Sequence, residues 1–170
     1  MIDLHLFNMG SKDFLDNLKI IGPYPGAENR NISKSYTKNK TVMAVCISDT
    51  AAVGVDLEEK KTRSPETIKH FVKKFSTFQI KNVPCNVDEQ WFYGAWTAME
   101  GYFKLDGSGF STPKDFIIDL ERQVIFRGEE TAVCAWFEHF DICDFIICVC
   151  SDRMFSKEDV RLSCHGWEDF

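Results

Sequence analysis

The sequence has 170 residues, of which 44% are hydrophobic and 27% are charged. These fractions indicate a globular domain with its own core and exclude a disordered or disulfide-stapled chain. No apolar run approaches the roughly 18–20 residues that span a bilayer, and the first residues lack a signal-peptide pattern. We therefore expect a cytoplasmic protein with no membrane partner, whose seven cysteines are reduced and largely buried.

The net charge of −6 argues against a nucleic-acid partner, but the charge is unevenly distributed. Residues 28–81 carry a net charge of +5, and the rest of the chain carries −11. A split of this size indicates an anionic partner for the basic segment, although lysines on solvated faces would give the same count.

The hydrophobic pattern predicts alternating strands and helices along the chain. Predicted strands cover residues 1–7, 41–47, 51–57, 115–119, 124–126, 131–140 and 144–151. Predicted helices cover residues 12–18, 65–75 and 86–106. Residues 22–26 read as a turn, residues 48–50 as the turn of a hairpin, and the last residues as a flexible tail. This mixture of helices and antiparallel strands predicts an α+β fold.

Two carboxylates stand near the end of the predicted strand at 51–57. Side chains alternate along an extended chain, so Asp56 and Glu58 share a face about 7 Å apart. Two aligned carboxylates repel each other unless a cation lies between them, and oxygen ligands of this kind favour Mg²⁺. From these residues alone, a solvated strand end is the better interpretation.

A third carboxylate lies on the helix predicted at 86–106. Glu100 and Lys104 are four residues apart and therefore project from the same side of the helix. A surface ion pair is the simplest interpretation. The functional alternative makes Glu100 a third metal ligand, with Lys104 one turn away to hold a phosphate oxygen.

These segments together resemble the motifs of one enzyme family. Residues 54–58 read Gly-Val-Asp-Leu-Glu, and residues 96–104 read Trp-Thr-Ala-Met-Glu-Gly-Tyr-Phe-Lys. A Gly-Ser-Gly loop follows at 107–109, and Asn-Ile-Ser-Lys-Ser precedes them at 31–35. In this order and spacing the four elements resemble the 4′-phosphopantetheinyl transferase superfamily, specifically its larger, Sfp-type branch.

The resemblance implies a transfer reaction on coenzyme A. The 4′-phosphopantetheine arm would move to a serine of an acyl or peptidyl carrier protein, releasing adenosine 3′,5′-bisphosphate, as in a holo-acyl-carrier-protein synthase. In that picture Asp56, Glu58 and Glu100 bind Mg²⁺, and Glu100 and Lys104 act in catalysis. Ser33 and Lys34, together with Lys104, would contact the phosphates of CoA, which is a co-substrate.

The sequence departs from the family pattern at several positions. Met99 replaces a lysine before the metal-binding glutamate, and Lys34 replaces a histidine. Gln79 stands where many relatives carry a glutamate that could act as the general base. The alternative function is therefore a weak or inactive homologue that binds CoA or a carrier protein.

The resemblance also implies an architecture. We expect one domain over residues 1–170, built from two similar αβ halves with antiparallel sheets and a cleft between them. Residues 1–50 would form a shortened first half, and residues 51–165 a second half carrying the metal motifs. The protein would be a monomer or a small homo-oligomer.

A zinc site is a further alternative for the last third of the chain, where three cysteines and a histidine occur close together. Cys143, Cys148, Cys150 and His139 lie in apolar, strand-like segments without a Cys-x-x-Cys pair, so core packing is the better interpretation.

Overall fold

The computed structural model describes residues 1–19, 31–75, 80–107, 116–128 and 132–167, apart from the side chains of residues 74 and 75. Numbered in chain order, the strands are β1 (Ile2–Asn8), β2 (Ile32–Tyr36), β3 (Val42–Ser48), β4 (Val53–Glu59), β5 (Phe116–Asp119), β6 (Val124–Arg127), β7 (Ala132–Ile142), β8 (Phe145–Ser151) and β9 (Val160–His165). The helices are α1 (Phe14–Leu18), α2 (Pro65–Phe75) and α3 (Glu89–Asp106). The predicted turn at 22–26 lies outside the described residues.

The strands form two sheets, with the orders β2-β3-β1-β9 and β4-β8-β7-β6-β5. The α+β class is confirmed, and the second sheet is antiparallel throughout. In the first sheet, β9 runs parallel to β1, so the chain ends by joining the sheet in which it began. The division into two similar halves with a cleft between them stays a prediction.

Two local predictions are wrong. The strands on either side of residues 48–50 do not form a hairpin, because β3 pairs with β1 and β2 while β4 pairs with β8. The flexible tail predicted around Cys164 and His165 is instead strand β9, whose partner β1 lies at the other end of the sequence.

Helix α3 matches its prediction closely because its end signals are local. The carboxylate of Asp88 accepts a hydrogen bond from the backbone N–H of Trp91 (2.8 Å), which caps the first turn. Gly107 ends the helix in the left-handed conformation, with φ of 75°. The apolar face of α3 packs on the second sheet and forms the larger core cluster with strands β5 to β8.

A second core cluster fills the space between the sheets. It joins Leu4 and Leu6 of β1 to Val53, Val55 and Leu57 of β4, all of which are nearly or fully buried. Strand β4 therefore has one face toward the first sheet and the other toward α3. Within the described residues, none of the helices combines the length and the apolar character that a membrane crossing needs.

The cysteines divide into buried and exposed groups, and all seven are free thiols. Cys46, Cys148 and Cys150 are buried as expected, whereas Cys85 and Cys143 are exposed.

Candidate active site

Two glycines bring strand β4 against helix α3 and thereby set the position of the predicted site. A Cβ atom added to Gly54 would lie 2.1 Å from the carbonyl oxygen of Gly101 and 2.6 Å from the amide nitrogen of Leu105. Only a residue without a side chain permits this approach of strand and helix backbones. Asp56 follows Gly54 by two residues and therefore lies on the same face of the strand. On the helix, Lys104 lies about one turn after Gly101.

Asp56, Lys104 and Ser35 form a closed triangle of hydrogen bonds. Lys104 Nζ donates to Asp56 Oδ1 (2.7 Å) and to Ser35 Oγ (2.8 Å), and Ser35 Oγ donates to the same Asp56 oxygen (3.0 Å). Asp56 is only 4% exposed, so its charge has been withdrawn from water and depends on these donors. The structure thus brings together Asp56 and Lys104, which the sequence placed in one site.

Glu58 lies one strand step beyond Asp56 and has different partners. Its Oε1 accepts a hydrogen bond from Trp96 Nε1 (3.0 Å), and its Oε2 lies 3.9 Å from Arg63 Nη2. Burial raises the pKa of Glu58, and the negative charge of Asp56 raises it further, against the opposing effects of Trp96, Arg63 and Lys104.

Glu100 completes the acidic cluster from the helix side. Burial raises its pKa to about 7; the charges of Asp56 and Glu58 add to this increase, and Lys104 opposes it. A carboxyl group with such a pKa is withdrawn from water and lies beside other negative charges. The three carboxylates predicted as metal ligands are therefore electrostatic neighbours.

The carboxylate oxygens of this site are ligands that suit a hard divalent cation. Among the described residues, no three acidic, histidine or cysteine side chains converge as a ready metal site. However, the second oxygen of Asp56, Oδ2, is buried and has no hydrogen-bond partner within the described part of the chain. An orphaned carboxylate oxygen beside two further carboxyl groups fits Mg²⁺, which takes carboxylate ligands together with waters and phosphates.

Ser33 and Lys34 lie on strand β2 and point to opposite faces. Ser33 is buried, and its Oγ accepts a hydrogen bond from the backbone N–H of Val55 (3.0 Å), which ties the edges of the two sheets together. Lys34 is exposed, with its Nζ 6.0 Å from the centre of the Tyr36 ring. The contacts that we predict for both residues with CoA stay predictions.

Ser35 and Trp96 are site residues to which the sequence analysis gave no role. Ser35 belongs to the same short motif as Ser33, and the two-residue period of a strand places both on the face toward β4. Recognising residues 32–36 as a strand would have identified it. Trp96 was only the first residue of the motif at 96–104, and no sequence signal shows that its indole N–H reaches Glu58.

A cavity of about 470 Å³ opens beside Glu58 and Trp96. Apolar rings form much of its wall, and basic side chains lie at its rim; these residues are Phe71, Phe92, Trp96, Lys38, Arg63 and His70. Its volume lies within the range of about 300–1,000 Å³ typical of sites for small organic ligands.

The departures from the motif differ in their surroundings. Met99 is fully buried in the core between α3 and the second sheet, so this side chain does not face the carboxylates. Gln79 and most of the Gly-Ser-Gly loop lie outside the described residues. The missing general base therefore stays a prediction from sequence.

The zinc alternative does not match the positions of its residues. His139 Nε2 donates to the carbonyl of Gly94 and lies 3.1 Å from the hydroxyl of Thr97, beneath α3. Cys148 and Cys150 are buried side by side in β8, whereas Cys143 is exposed at the turn before it.

Comparisons with known proteins agree with the geometry. A family model described as the 4′-phosphopantetheinyl transferase superfamily matches residues 52–150. The chain is 30% identical over 71 residues to the 4′-phosphopantetheinyl transferase Sfp of Bacillus subtilis strain 168. It is 32% identical over 73 residues to a 4′-phosphopantetheinyl transferase of Bacillus subtilis. Each match covers 42% of this chain and 32% of the relative, so the matched segment spans about a third of each relative's length.

Proposed function

Because the chain belongs to the 4′-phosphopantetheinyl transferase superfamily, we propose that it transfers the 4′-phosphopantetheine arm of CoA to a serine of an acyl or peptidyl carrier protein. The observation that carries the proposal is the meeting of Asp56 from β4 with Glu100 and Lys104 from α3. These residues lie within the segment that the family model matches. Adenosine 3′,5′-bisphosphate is the second product.

In this proposal Asp56, Glu58 and Glu100 hold Mg²⁺ near the pyrophosphate of CoA. An ion held there would supply positive charge against the phosphate oxygens as the serine oxygen displaces the bisphosphate and the phosphoanhydride bond of CoA breaks. Lys104 donates to a phosphate oxygen and stabilises the charge that develops on the leaving bisphosphate. Ser35 orients Lys104 through the 2.8 Å hydrogen bond between them.

The cavity beside Glu58 is the place that we propose for the phosphopantetheine arm. The arm is long, uncharged beyond its phosphate and partly apolar, and the walls offer the rings of Phe71, Phe92 and Trp96. Since Glu58 lines the same cavity, an arm lying there would keep its phosphate next to the carboxylate cluster.

The basic segment gives the remaining substrates a place to approach. Lys34 is exposed on β2, and we propose that it faces the CoA phosphates across the cleft between the two halves. The excess of positive charge over residues 28–81 favours association with CoA and with an acidic carrier protein.

Binding without transfer is the second candidate function, and the motif departures favour it. Lys34, Met99 and Gln79 replace residues that carry charge or accept protons in relatives. Calorimetry with CoA in the presence and absence of Mg²⁺ tests the binding that the two candidates share. Both predict CoA binding that strengthens with Mg²⁺, but only the transferase also changes the carrier protein.

The transfer itself is tested by the intact mass of a carrier protein after incubation with CoA and Mg²⁺. We expect the carrier to gain the mass of one phosphopantetheine arm, and we expect Asp56→Asn to reduce the initial rate by at least about 100-fold, because the site loses a metal ligand. Lys61→Met is the matched control, since Lys61 pairs with Glu59 outside the site. CoA binding with no mass gain across several carriers would favour the second candidate.

A further inference from the structure

We propose that Lys104 occupies the cation position at Asp56 in the CoA-free protein, so that metal and CoA binding are coupled through the movement of one ammonium group. This inference rests on the proposed function for the identity of the two ligands. It assigns Lys104 a role before the reaction, in addition to its contact with phosphate.

The contacts around Asp56 carry the inference. Its Oδ1 accepts from both Lys104 and Ser35, and the ammonium group also donates to Ser35. The triangle occupies Oδ1, and a metal ion at the neighbouring Oδ2 would lie close to the ammonium group unless Lys104 withdraws. The side chain of Lys104 is 31% exposed, whereas that of Asp56 is 6% exposed, so the lysine is the partner with room to move.

The charges around Asp56 point in the same direction. Glu58 lies two residues beyond Asp56 on the same strand, and Glu100 lies one helical turn before Lys104, so two further carboxylates lie near the position of the ammonium group. A divalent ion and an ammonium group on the two oxygens of one carboxylate would repel each other strongly at such a short distance. In the absence of CoA, a metal ion must therefore compete with Lys104 for Asp56.

A phosphate group changes this competition because it gives Lys104 another anionic partner nearby. Once the ammonium group turns to the phosphate, both oxygens of Asp56 become available to a cation. Linkage then requires that each ligand raises the affinity of the other by the same factor. Lys104 is in this sense a positioning residue for the metal site as well as a phosphate contact.

The test measures Mn²⁺ binding to the full chain by electron paramagnetic resonance, with neither CoA nor carrier protein present. Lys104→Met removes the charge and keeps most of the side-chain length. We expect it to bind Mn²⁺ about 10-fold more tightly than the wild type, a coupling of ordinary size for neighbouring sites. An affinity equal to or weaker than that of the wild type would overturn the inference.

Two further variants separate the specific contact from general electrostatics. Lys61→Met makes the same charge change at an exposed lysine that pairs with Glu59, and we expect it to change Mn²⁺ affinity by less than about 2-fold. Lys104→Arg retains the charge, and we expect it to bind Mn²⁺ no more tightly than the wild type. A similar gain in affinity for Lys61→Met and Lys104→Met would contradict a specific role of Lys104.

Ser35→Ala keeps the inference testable if Lys104→Met fails to fold. It removes one acceptor of the ammonium group and leaves the charge in place, so we expect Mn²⁺ to bind about 2- to 3-fold more tightly. An unchanged or lower affinity would count against the inference. None of these measurements involves transfer, so a protein that transfers no arm can still confirm the inference, and an active transferase can still contradict it.

Discussion

Met99 is the residue whose interpretation changes most once its surroundings are known. Its position in the motif suggested that a phosphate-binding cation had been lost. Its side chain is instead fully buried among apolar residues of α3 and the second sheet. The substitution therefore serves packing, and restoring a lysine would place an ammonium group in the core.

We predict that Met99→Lys destabilises the protein by about 4 kcal/mol or more, because a buried charge without a partner carries a large desolvation cost. Met99→Leu is the matched control and should cost less than about 1.5 kcal/mol, since it nearly conserves volume and polarity. Urea unfolding at neutral pH measures both. A Met99→Lys variant with wild-type stability and faster transfer would show that the side chain reaches the phosphates.

Trp96, unlike Met99, has a side chain that contacts the site. Its indole N–H donates a hydrogen bond to Glu58, and its ring contacts the rings of Phe71 and Phe92. We predict that Trp96→Phe raises the pKa of Glu58 further, because it removes a donor that stabilises the carboxylate. The titration of Glu58 by carboxyl-carbon NMR measures the shift, with Trp91→Phe as the control on the same helix. An unchanged Glu58 titration would contradict the assigned contact.

At the level of elements, the site depends on the close packing of β4 against α3. A Cβ atom at Gly54 would overlap the backbone of α3, whereas Gly94 of α3 has room for one. A Cβ at Gly94 would lie 3.9 Å from the nearest atom of His139, which is an ordinary contact.

We predict that Gly54→Ala destabilises the protein by about 3 kcal/mol or more, because strand and helix backbones must separate to admit a methyl group. Gly94→Ala should be neutral or stabilising by up to about 1 kcal/mol, since alanine is the better helix former. Thermal unfolding of the two variants gives the comparison. If both variants show the same stability, the close approach of β4 and α3 is not required for the fold.

Much of each element could be predicted from its own sequence, but its partners could not. The cap residue Asp88, the apolar repeat and Gly107 define α3 locally, so its position followed from the pattern. The pairing of β3 and β4 with different sheets depends on β1 and β8, which are distant in sequence. Strand β9 was missed for the same reason, because its pattern alone resembles a polar tail and only β1 gives it a partner.

For the site, the motifs grouped the candidate residues, but the contacts between them could not be predicted. Asp56, Glu58, Glu100 and Lys104 were identified from spacing and motif order. The hydrogen bonds that Ser35 and Trp96 make to those residues cross between elements and leave no trace in local periodicity.

At the scale of the whole molecule, partly buried histidines link stability to pH. Burial lowers the pKa of His139 to about 4; its hydrogen bond to Gly94 opposes the shift, and the charge of Lys157 adds to it. The pKa values of His5 and His165 are also lowered by burial, and for His5 by the neighbouring His165 ring 3.1 Å away.

A lowered pKa in the folded state means that the unfolded state binds the proton first as the pH falls. The contribution of His139 is therefore complete above about pH 6.5 and declines toward about pH 4, by at most about 3 kcal/mol. We predict that His139→Gln flattens the pH dependence of the unfolding free energy between pH 7 and 4.5. His70→Gln is the control, because it makes the same substitution at an exposed position on α2. Parallel curves for the wild type and His139→Gln would contradict this account.

The most direct test of the proposed transfer is the intact mass of a carrier protein incubated with this protein, CoA and Mg²⁺. We predict a gain of one phosphopantetheine arm on a single serine. Chelation of the metal and Asp56→Asn should each abolish this gain, and Lys61→Met should retain it. No gain with carriers of fatty acid, polyketide and peptide synthesis would contradict it, as would a gain that Asp56→Asn leaves unchanged.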